Sequence, residues 1–423
     1  MKVSPSDQNS TVVQNQSSEP ENVVNNETDF EWAIHYHRKV LKFCGIWIYS
    51  NSNRWYLKLI TDLHSLFIIG GVLICLTTPE AMALVKIWGN LTLIVDNLLS
   101  SAALISTQIK LFVLWTRRKA IARIVDAVKS DWLEPKTEAE RKIMRRYARI
   151  ARIMMVCGLS NIAYNLITFH GSVLFGFVYR TVNNITDIEG YLIPTQSYFP
   201  FDITIGYRCW IIRIVQALQC FGAGITYTAI DVFCGMSVLH NCGQLEILAD
   251  KIKDLVNPDE PRVFQELLKT IVLRHYRIIG LIEEIRNIFA TVLLLLVLCF
   301  GILFSVIGFL IASSFESDGT KVPVSQMNFY IGYILFFVGL LFVYSWVGEN
   351  LLSHSEEIHV AVYSCNWTDL EPHQIAQLII ILVRAQRPLE ITIGKFAPAT
   401  LNTFAQILKT SAGYISVLLA RNG

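Results

Sequence analysis

Residues 288–313, IFATVLLLLVLCFGILFSVIGFLIAS, contain no charged side chain, and they decide the class of this fold. A helix that crosses a bilayer needs about 20 consecutive apolar residues, and this stretch exceeds that length. Because lipid cannot hydrogen-bond an open backbone, such a stretch is stable in a membrane only as a helix. The sequence therefore predicts a helical membrane protein.

Six further apolar segments extend this prediction to the whole chain. Of the 423 residues, 53% are hydrophobic and 17% are charged, against about 25% charged in a typical soluble domain. The other six predicted spans are 58–77, 88–114, 149–179, 206–238, 328–349 and 396–420. We therefore predict an all-α membrane protein with seven transmembrane helices.

Lysine and arginine are distributed unequally between the connections of these spans. The connection 115–149 holds eleven basic residues and 239–287 holds seven, whereas the alternate connections hold one each, at Lys86, Arg180 and Lys321. Connections rich in basic residues stay on the cytoplasmic side. We therefore predict a cytoplasmic N-terminus and an extracellular C-terminus.

Three further features of the sequence concern the N-terminal tail, glycosylation and metal binding. Residues 1–29 are rich in Asn, Ser, Gln and Glu and predict a disordered cytoplasmic tail. The sequon at Asn184 falls in a connection predicted to be extracellular and is the expected glycosylation site. The nine cysteines show no metal-ligand spacing, and His354 and His359 do not form a zinc-binding pair. We expect no metal and no cofactor.

Three predicted helices continue beyond the bilayer on the cytoplasmic side. No proline interrupts residues 206–256, a helix from Arg262 extends to Ser313, and another from Met327 extends to Tyr363. Each extension has an apolar face that needs a partner, so we predict an anchor bundle; separate helices on the inner leaflet are the alternative. The chain is thus predicted to have five parts. They are a tail (1–29), the first four spans, which contain most of the ligand-binding region (30–238), the anchor helices (239–287 and 350–394), the fifth and sixth spans (288–349) and the last span (395–423).

Asp96, Arg213 and Asp231 are charged residues inside predicted spans. Charges in hydrocarbon are costly, and they are usually paired or functional. Nothing in the sequence indicates proton coupling. We therefore expect these three side chains to be paired within the bundle or exposed near a vestibule.

The last predicted helix, from Ala399 to Ala420, has one polar side. At 1.5 Å per residue it is about 33 Å long, enough to cross the bilayer. Its polar side carries Asn402, Gln406, Lys409, Gly413, Ser416 and Ala420, with Thr403 and Thr410 beside it. Lipid cannot satisfy such a stripe. Two interpretations stay open: a helix buried in a bundle, or a helix that lines an aqueous pore.

The last third of the chain carries a series of short motifs. They are Phe342–Glu349 (FVYSWVGE), Ser355–Ile358 (SEEI), Ala361–Tyr363 (AVY), Trp367, Arg384–Leu389 (RAQRPL), Gly394–Phe396 (GKF), Leu401–Phe404 (LNTF) and Ile407–Ser411 (ILKTS), near Tyr414. Cys242–Glu246 (CGQLE) and Arg274–His275 precede them. In this order the motifs resemble the insect odorant receptor family.

The resemblance implies an odorant-gated, non-selective cation channel. Members of that family are expected to form tetramers around one pore, lined by the last helix and held together by cytoplasmic anchor helices. The chain resembles an odour-tuned subunit, because it lacks the long insertion that the shared co-receptor carries in its second cytoplasmic loop. The expected partners are co-receptor subunits, a small volatile ligand and membrane lipid, with no nucleic acid. The expected location is the plasma membrane, in dendrites of olfactory sensory neurons.

The resemblance also assigns pore residues on the last helix: Gln406, Lys409, Thr410, Gly413, Val417 and Arg421. Matching on Tyr414 places the family's outer gate at Val417 and Arg421. Val417 suits an apolar constriction that closes by dewetting. Arg421 departs from the family pattern, because a ring of guanidinium groups would repel cations. Two alternatives follow: the Arg421 side chain turns into the outer vestibule, or the co-receptor subunits supply the effective gate. Lys409 is expected to snorkel or to pair at a subunit interface.

The ligand, by the same resemblance, lies among the outer halves of the second, third, fourth and sixth spans. Buried apolar area supplies most of the affinity for a volatile molecule. Asn161 and Asn165 are candidate hydrogen-bond partners for an ester or alcohol, or for a neighbouring helix. The candidate binding residues, with ordinary packing as the alternative for each, are Ile94, Asn97, Gly158, Asn161, Tyr164, Asn165, Ile212, Val215, Tyr330, Tyr333, Phe336 and Phe337.

Other functions fit the sequence less well. A gustatory receptor shares the fold and the channel mechanism but typically has a different signature in its last span. A G-protein-coupled receptor requires an extracellular N-terminus, which the basic loops oppose. A secondary transporter usually has repeated halves with broken helices, and the sequence shows no such symmetry. Since no nucleophile, base and orienting acid stand at a recognised spacing, we expect no catalytic residue.

Overall fold

Helices make up nearly all of the computed structural model, which describes residues 18–47, 55–171, 191–255, 261–316 and 324–422 together with Val173. The helices are α1 Ser18–Phe43, α2 Trp55–Val72, α3 Thr78–Lys86, α4 Leu91–Thr116, α5 Arg118–Leu133, α6 Glu138–Asn165, α7 Arg208–Lys253, α8 Pro261–Glu316, α9 Val324–Ser364, α10 Pro372–Ala385 and α11 Leu401–Asn422. Shorter helical turns are Leu73–Thr77, Leu166–Gly171 and Trp367–Asp369. The departure from the predicted all-α class is an antiparallel pair between α10 and α11, β1 Thr392–Ile393 and β2 Ala397–Pro398.

Five helices in the described part of the chain are long and apolar enough to cross a membrane. They are Leu59–Lys86, Leu93–Thr116, Arg208–Lys253, Phe264–Gly308 and Tyr330–Ser364. The first runs through α2, the turn Leu73–Thr77 and α3. Each of the five overlaps a predicted span. The other two predicted spans, 149–179 and 396–420, fall on the more polar helices α6 and α11, and the former continues beyond the described residues. The count of seven spans and the orientation of the termini stay predictions.

Helix α7 is the centre of the fold. Every residue from Ala229 to Leu245 is buried, so other elements enclose this part of the helix on all sides. The helices α1, α4, α6, α8 and α9 pack around it. Gly158 allows α6 to approach α7 closely, since a Cβ at this position would overlap the methyl group of Thr228. Gly158 therefore serves helix packing, the alternative considered for each candidate binding residue.

The long helices continue into one packed bundle. Helices α7, α8 and α9 contain 46, 56 and 41 residues, and α8 begins one residue before the predicted Arg262. Leu245, Leu248 and Ile252, which form the amphipathic face at the end of α7, are buried. Ile278 of α8 lies in the same core. The extensions thus pack against one another, and their cytoplasmic location stays a prediction.

The N-terminal tail is ordered over more of its length than predicted. Helix α1 begins at Ser18, within the predicted tail 1–29, and the residues before it lie outside the described part. Asp29 accepts hydrogen bonds from Nε of Arg141 at 2.6 Å and from Arg145. Burial raises the pKa of Asp29, but the bonds to Arg145 and Arg141 outweigh it and hold that pKa below its ordinary value. These ion pairs tie the end of the tail to α6.

A buried ion pair joins three membrane helices. Nζ of Lys110 on α4 lies 2.8 and 3.0 Å from the carboxylate oxygens of Asp231 on α7. Tyr344 on α9 donates its hydroxyl to the same carboxylate at 2.5 Å. Lys110 is fully buried and also lies 3.4 Å from the ring centroid of Tyr227. The pairing expected for Asp231 is therefore present, and its partner is a lysine that was not among the charged residues named from the sequence.

The other two charged residues of the predicted spans have different surroundings. Nε of Arg213 donates to the carbonyl oxygen of Leu192 at 2.8 Å, and its guanidinium lies 5.1 Å from the ring of Trp210. Asp96 is half-buried on α4. Arg213 is thus held by a connecting segment and an aromatic ring.

We expect Lys110→Met to destabilise the fold by about 3–5 kcal/mol, because it leaves the Asp231 carboxylate buried without its counter-charge. The double variant Lys110→Met/Asp231→Leu is expected to recover most of that loss, since an apolar pair needs no partner. Arg123→Met removes one side of an exposed pair with Glu284 and serves as the control, with a change below about 1 kcal/mol. Thermal unfolding of the detergent-solubilised protein measures all three. A single Lys110 variant as stable as the unmodified chain would contradict this account.

Candidate functional site

Aromatic side chains of α9 form the centre of the candidate ligand site. Tyr330 is fully buried against apolar side chains of α4 and α8. The rings of Tyr333 and Phe337 lie 4.8 Å apart, and the Tyr333 hydroxyl donates to the carbonyl oxygen of Leu99 at 2.8 Å. Phe336 is more exposed and meets Phe337 edge to face. Three of the four predicted aromatics therefore pack inward.

A small apolar cavity lies beside these rings. Its lining residues are Phe300, Leu303, Phe304, Ile307, Tyr333, Ile334 and Phe337. Its free volume is about 10 Å³, room for about one water molecule, whereas ligand pockets typically measure about 300–1,000 Å³. This space is therefore too small for a typical ligand, and a ligand can bind there only if side chains move.

Helix α8 also lines this cavity, although none of its residues was among the predicted binding residues. Phe300, Leu303, Phe304 and Ile307 recur at three- and four-residue steps, so one face of the helix meets the cavity. That spacing is visible in the sequence. It did not single out a site because residues 288–313 are apolar on every side, and periodicity cannot tell a cavity wall from a lipid-facing surface.

Several predicted binding residues have partners within the protein. The Asn97 side chain is buried, and its amide donates to the carbonyl oxygens of Glu80 at 3.1 Å and of Gln196 at 3.3 Å. Ile94, Ile212 and Val215 are half-buried. None of these four candidates lines the cavity between α8 and α9. Asn97 instead joins α3 and the segment before α7 to α4.

The polar residues predicted on α6 also have local partners. The Asn165 amide donates to the carbonyl oxygen of Asn161 at 2.8 Å and to the Asn161 side chain. Tyr164 is exposed on the surface of the single chain. The two asparagines therefore bond to each other, which is a helix-stabilising arrangement one turn apart.

The motif Cys242–Glu246 belongs to a polar contact between α6, α7 and α9. The Tyr147 hydroxyl donates to Oε2 of Glu246 at 2.9 Å, and Nε2 of His354 lies 2.7 Å from the same hydroxyl. Burial and the neighbouring Glu246 raise the pKa of Tyr147, so it stays a donor at neutral pH. Gly243 lets α6 approach here, since a Cβ at that position would lie 2.9 Å from Cδ2 of Tyr147. The motif thus fixes the bundle.

The predicted pore helix α11 is anchored at its start. Glu349 of α9 accepts a hydrogen bond from the Leu401 amide at 3.1 Å, and Thr400 caps the Thr403 amide at 3.3 Å. A carboxylate at a helix N-terminus is favourable because the free amides and the helix dipole attract negative charge. Gly348 permits this contact, since a Cβ there would overlap the carbonyl of Ala399. The sequence pair Gly348–Glu349 therefore sets where α11 begins.

The two sides of α11 have different surroundings. Phe404, Ile407 and Leu408 pack against the main core. The polar side is exposed in the single chain, at Asn402, Gln406, Lys409, Thr410, Gly413 and Ser416. Val417 is 65% exposed, and nothing is described for the side chain of Arg421. The described part of the chain therefore does not bury the stripe.

Two further points concern glycosylation and metal binding. Asn184 lies outside the described residues, so its glycosylation stays a prediction. Among the residues that the structure describes, no group of three or more His, Cys, Asp or Glu side chains is placed to hold a metal ion.

Comparison with known proteins gives consistent matches. The sequence model of the family described as 7tm Odorant receptor matches residues 90–412. Odorant receptor 10 of Aedes albopictus is 27% identical over 211 residues, which cover 49% of this chain and 54% of that protein. Odorant receptor Or2 of Anopheles gambiae is 23% identical over 366 residues, covering 84% and 92%. An odorant receptor coreceptor of Harpegnathos saltator is 22% identical over 340 residues, covering 62% and 70%.

A solved structure shares the fold. The olfactory receptor OR5 of Machilis hrabei, in complex with eugenol, superposes with a TM-score of 0.76 at 14% identity, with 93% of this chain and 99% of that chain covered. The family match spans well over half of the sequence, and the motifs that suggested the resemblance lie largely within it. This chain therefore belongs to the 7tm odorant receptor family, the insect transmembrane receptors of olfaction.

Proposed function

We propose that this protein is the odour-tuned subunit of a ligand-gated, non-selective cation channel. A small volatile molecule binds at the aromatic cavity between α8 and α9, and a central pore opens in a tetramer formed with co-receptor subunits. The channel resides in the plasma membrane of olfactory sensory neurons, in their dendrites. The observation that carries this proposal is the uncovered polar side of α11.

The polar side of α11 needs a partner from outside the chain. Helix α11 has 22 residues, a length of about 33 Å at 1.5 Å per residue. Its stripe from Asn402 to Ser416 is exposed, and hydrocarbon cannot satisfy those groups. Neighbouring subunits and water can. A ring of such helices around an aqueous channel meets the requirement for every subunit at once.

Exposed apolar side chains in the predicted anchor segments support subunit contacts. Tyr276 of α8 and Ile380 of α10 are 76% and 71% exposed. Apolar groups outside the bilayer that stay uncovered in one chain indicate a protein interface. The similarity to a chain named as a coreceptor supports a second subunit of the same fold as the occupant.

Helix α9 connects the cavity with α11. Tyr333 and Phe337 form the cavity wall, and Phe342 packs edge to face against Phe404 of α11 with ring centroids 5.8 Å apart. A ligand that displaces the wall shifts the population of α9 positions. Because Phe404 lies on the side of α11 opposite the polar stripe, that displacement moves the pore helix.

We expect Phe337→Ala to raise the half-maximal concentration of a small odorant about tenfold or more, because the buried ring supplies the apolar contact that a ligand would use. Currents from cells that express the chain with the co-receptor measure the effect. Leu335→Ala, an exposed position on the same helix, is the matched control and should leave the dose response unchanged. Direct agonists of the co-receptor should act equally on both variants. An unchanged odorant response in Phe337→Ala would remove the cavity from the proposal.

We expect cysteines at Gln406, Thr410 or Gly413 to react with a water-soluble methanethiosulfonate reagent and to block the current, since these positions lie on the uncovered side of α11. Leu408→Cys, which packs against the core of its own chain, should stay unmodified. The unmodified chain, with its nine native cysteines, gives the background. If none of the three reacts in either the open or the closed channel, α11 does not line the pore.

A further inference from the structure

A histidine outside the candidate ligand site lies between three helices of the bundle. Nε2 of His354 on α9 is 2.7 Å from the Tyr147 hydroxyl of α6, and its Nδ1 is 2.9 Å from Oε2 of Glu357. The Tyr147 hydroxyl is in turn 2.9 Å from Oε2 of Glu246 on α7. These four side chains, here called the His354 clasp, therefore join α6, α7 and α9 through three short contacts.

The three contacts need three protons, one in each hydrogen bond. A tyrosine hydroxyl and a neutral imidazole supply one proton each, and an ionised carboxylate supplies none. When Tyr147 donates to Glu246, Nε2 of His354 has to donate to the tyrosine oxygen. Nδ1 of a neutral ring then faces Glu357 with a lone pair. When Nδ1 carries the proton instead, Nε2 takes the proton of Tyr147 and Glu246 loses it. A ring protonated on both nitrogens satisfies all three contacts.

The charged and titratable groups around the ring come from three helices. Glu357 belongs to α9 itself, and α7 contributes Glu246 together with the buried Cys242 thiol one turn before it. Helix α6 contributes Tyr147 and Arg146, and Arg146 forms an ion pair with Glu246. An imidazole holds its proton to a higher pH than a carboxyl group does. The third proton of the clasp therefore belongs on His354.

The clasp lies in the part of α9 that also supports α11. Ser355, the next residue after His354, accepts a hydrogen bond from the Leu389 amide in the connector to α11 at 2.8 Å. Glu349 accepts one from the Leu401 amide at the start of α11 at 3.1 Å. One short stretch of α9 thus contacts α6 and α7 and also holds the predicted pore helix. Loss of a contact in the clasp weakens the attachment of this stretch to the bundle.

We propose that the His354 clasp is a proton-dependent switch in the predicted cytoplasmic part of the bundle. While His354 carries both ring protons, it holds α9 to α6 and α7, and loss of one proton breaks a contact. Histidine suits this role because its charge changes near physiological pH. The effect on current rests on the proposed function, in which α9 transmits ligand binding to α11. Since a held α9 resists that displacement, a more alkaline cytoplasm favours opening.

The pH dependence of the melting temperature tests the clasp without a ligand or a current. A proton that the folded chain binds more tightly than the unfolded chain stabilises the fold at acid pH, and this stabilisation is lost as the pH rises through the neutral range. The detergent-solubilised protein is compared with His354→Gln between about pH 6 and pH 8, where histidine titrates. The unmodified chain is expected to lose more of its melting temperature over this range than the variant does.

Two further variants separate the three-contact arrangement from an ordinary ion pair. Tyr147→Phe removes the bridging hydroxyl, so a neutral ring protonated on Nδ1 satisfies the remaining contact with Glu357. Its melting temperature is expected to show the same reduced pH dependence as that of His354→Gln. His373→Gln is the matched control, because His373 forms an exposed pair with Glu371 at 3.1 Å. This variant is expected to keep the pH dependence of the unmodified chain.

Inside-out patches from cells that express the chain with the co-receptor test the switch. The probe is the most potent of octanol, octanal and octyl acetate, because none of the three ionises in this range. Raising the cytoplasmic pH from about 6 to about 8 is expected to lower its half-maximal concentration roughly two- to tenfold, the equivalent of one hydrogen bond. His354→Gln is expected to remove this shift, and any pH effect of the co-receptor subunits remains in both.

Each result decides between the alternatives. Equal pH dependence of melting in His354→Gln and in the unmodified chain overturns the clasp. A Tyr147→Phe variant that keeps the full pH dependence overturns the three-contact explanation. Melting as expected, with a probe potency that does not depend on cytoplasmic pH, overturns the switch and leaves a structural contact. Patches silent to the probes and to a co-receptor agonist contradict the proposed function, while the melting data still decide on the clasp.

Discussion

Hydrocarbon offers no hydrogen-bond partner, and this constraint accounts for two polar contacts inside the bundle and for the exposed side of its last helix. Lys110 and Asp231 satisfy each other inside it, and Asn97 bonds to two backbone carbonyls. In both cases the partner belongs to a different segment of the chain, so satisfying the polar group also joins two elements. The polar side of α11 has no such partner within the described residues of one chain. The polar side of α11 therefore needs hydrogen-bond partners from outside the chain, and in the proposed channel an aqueous pore supplies them.

The position of α11 follows from its contacts with α9. Glu349 and Gly348 fix its first turn, and the Leu389 amide donates to Ser355 of α9 at 2.8 Å, which fixes the connector that leads to it. The cavity residue Phe337 lies five residues before Phe342, which touches α11. Five residues of helix measure about 7.5 Å, so one short helical segment links the cavity wall to α11. In the proposed channel this segment is the route by which a shift at the cavity reaches α11, and close-packed cores, which resist gradual deformation, make a discrete shift the expected one.

The sequence predicts the helices better than it predicts their contacts. The long helices were expected from continuous patterns without proline, and α8 begins within one residue of its predicted start. Lys110 was missed because a single lysine in a long apolar run does not prevent the segment from being a span, and nothing local reveals a carboxylate 121 residues away. The site shows the same limit. The α9 aromatics were identified from their shared face, but which helix supplies the opposite wall depends on packing that periodicity does not encode.

A count of partners separates structural from functional polar residues more sharply than residue type does. Asn97, Asn165 and Tyr227 are all polar side chains on membrane helices, and all three are compatible with a ligand contact on the basis of sequence alone. The structure gives the first two acceptors within the protein, so replacing either bond with one to a ligand gains little net energy. Tyr227 differs from both, because its hydroxyl has no hydrogen-bond partner within the described residues. Counting partners thus argues against the two asparagines as ligand contacts, which residue type alone does not.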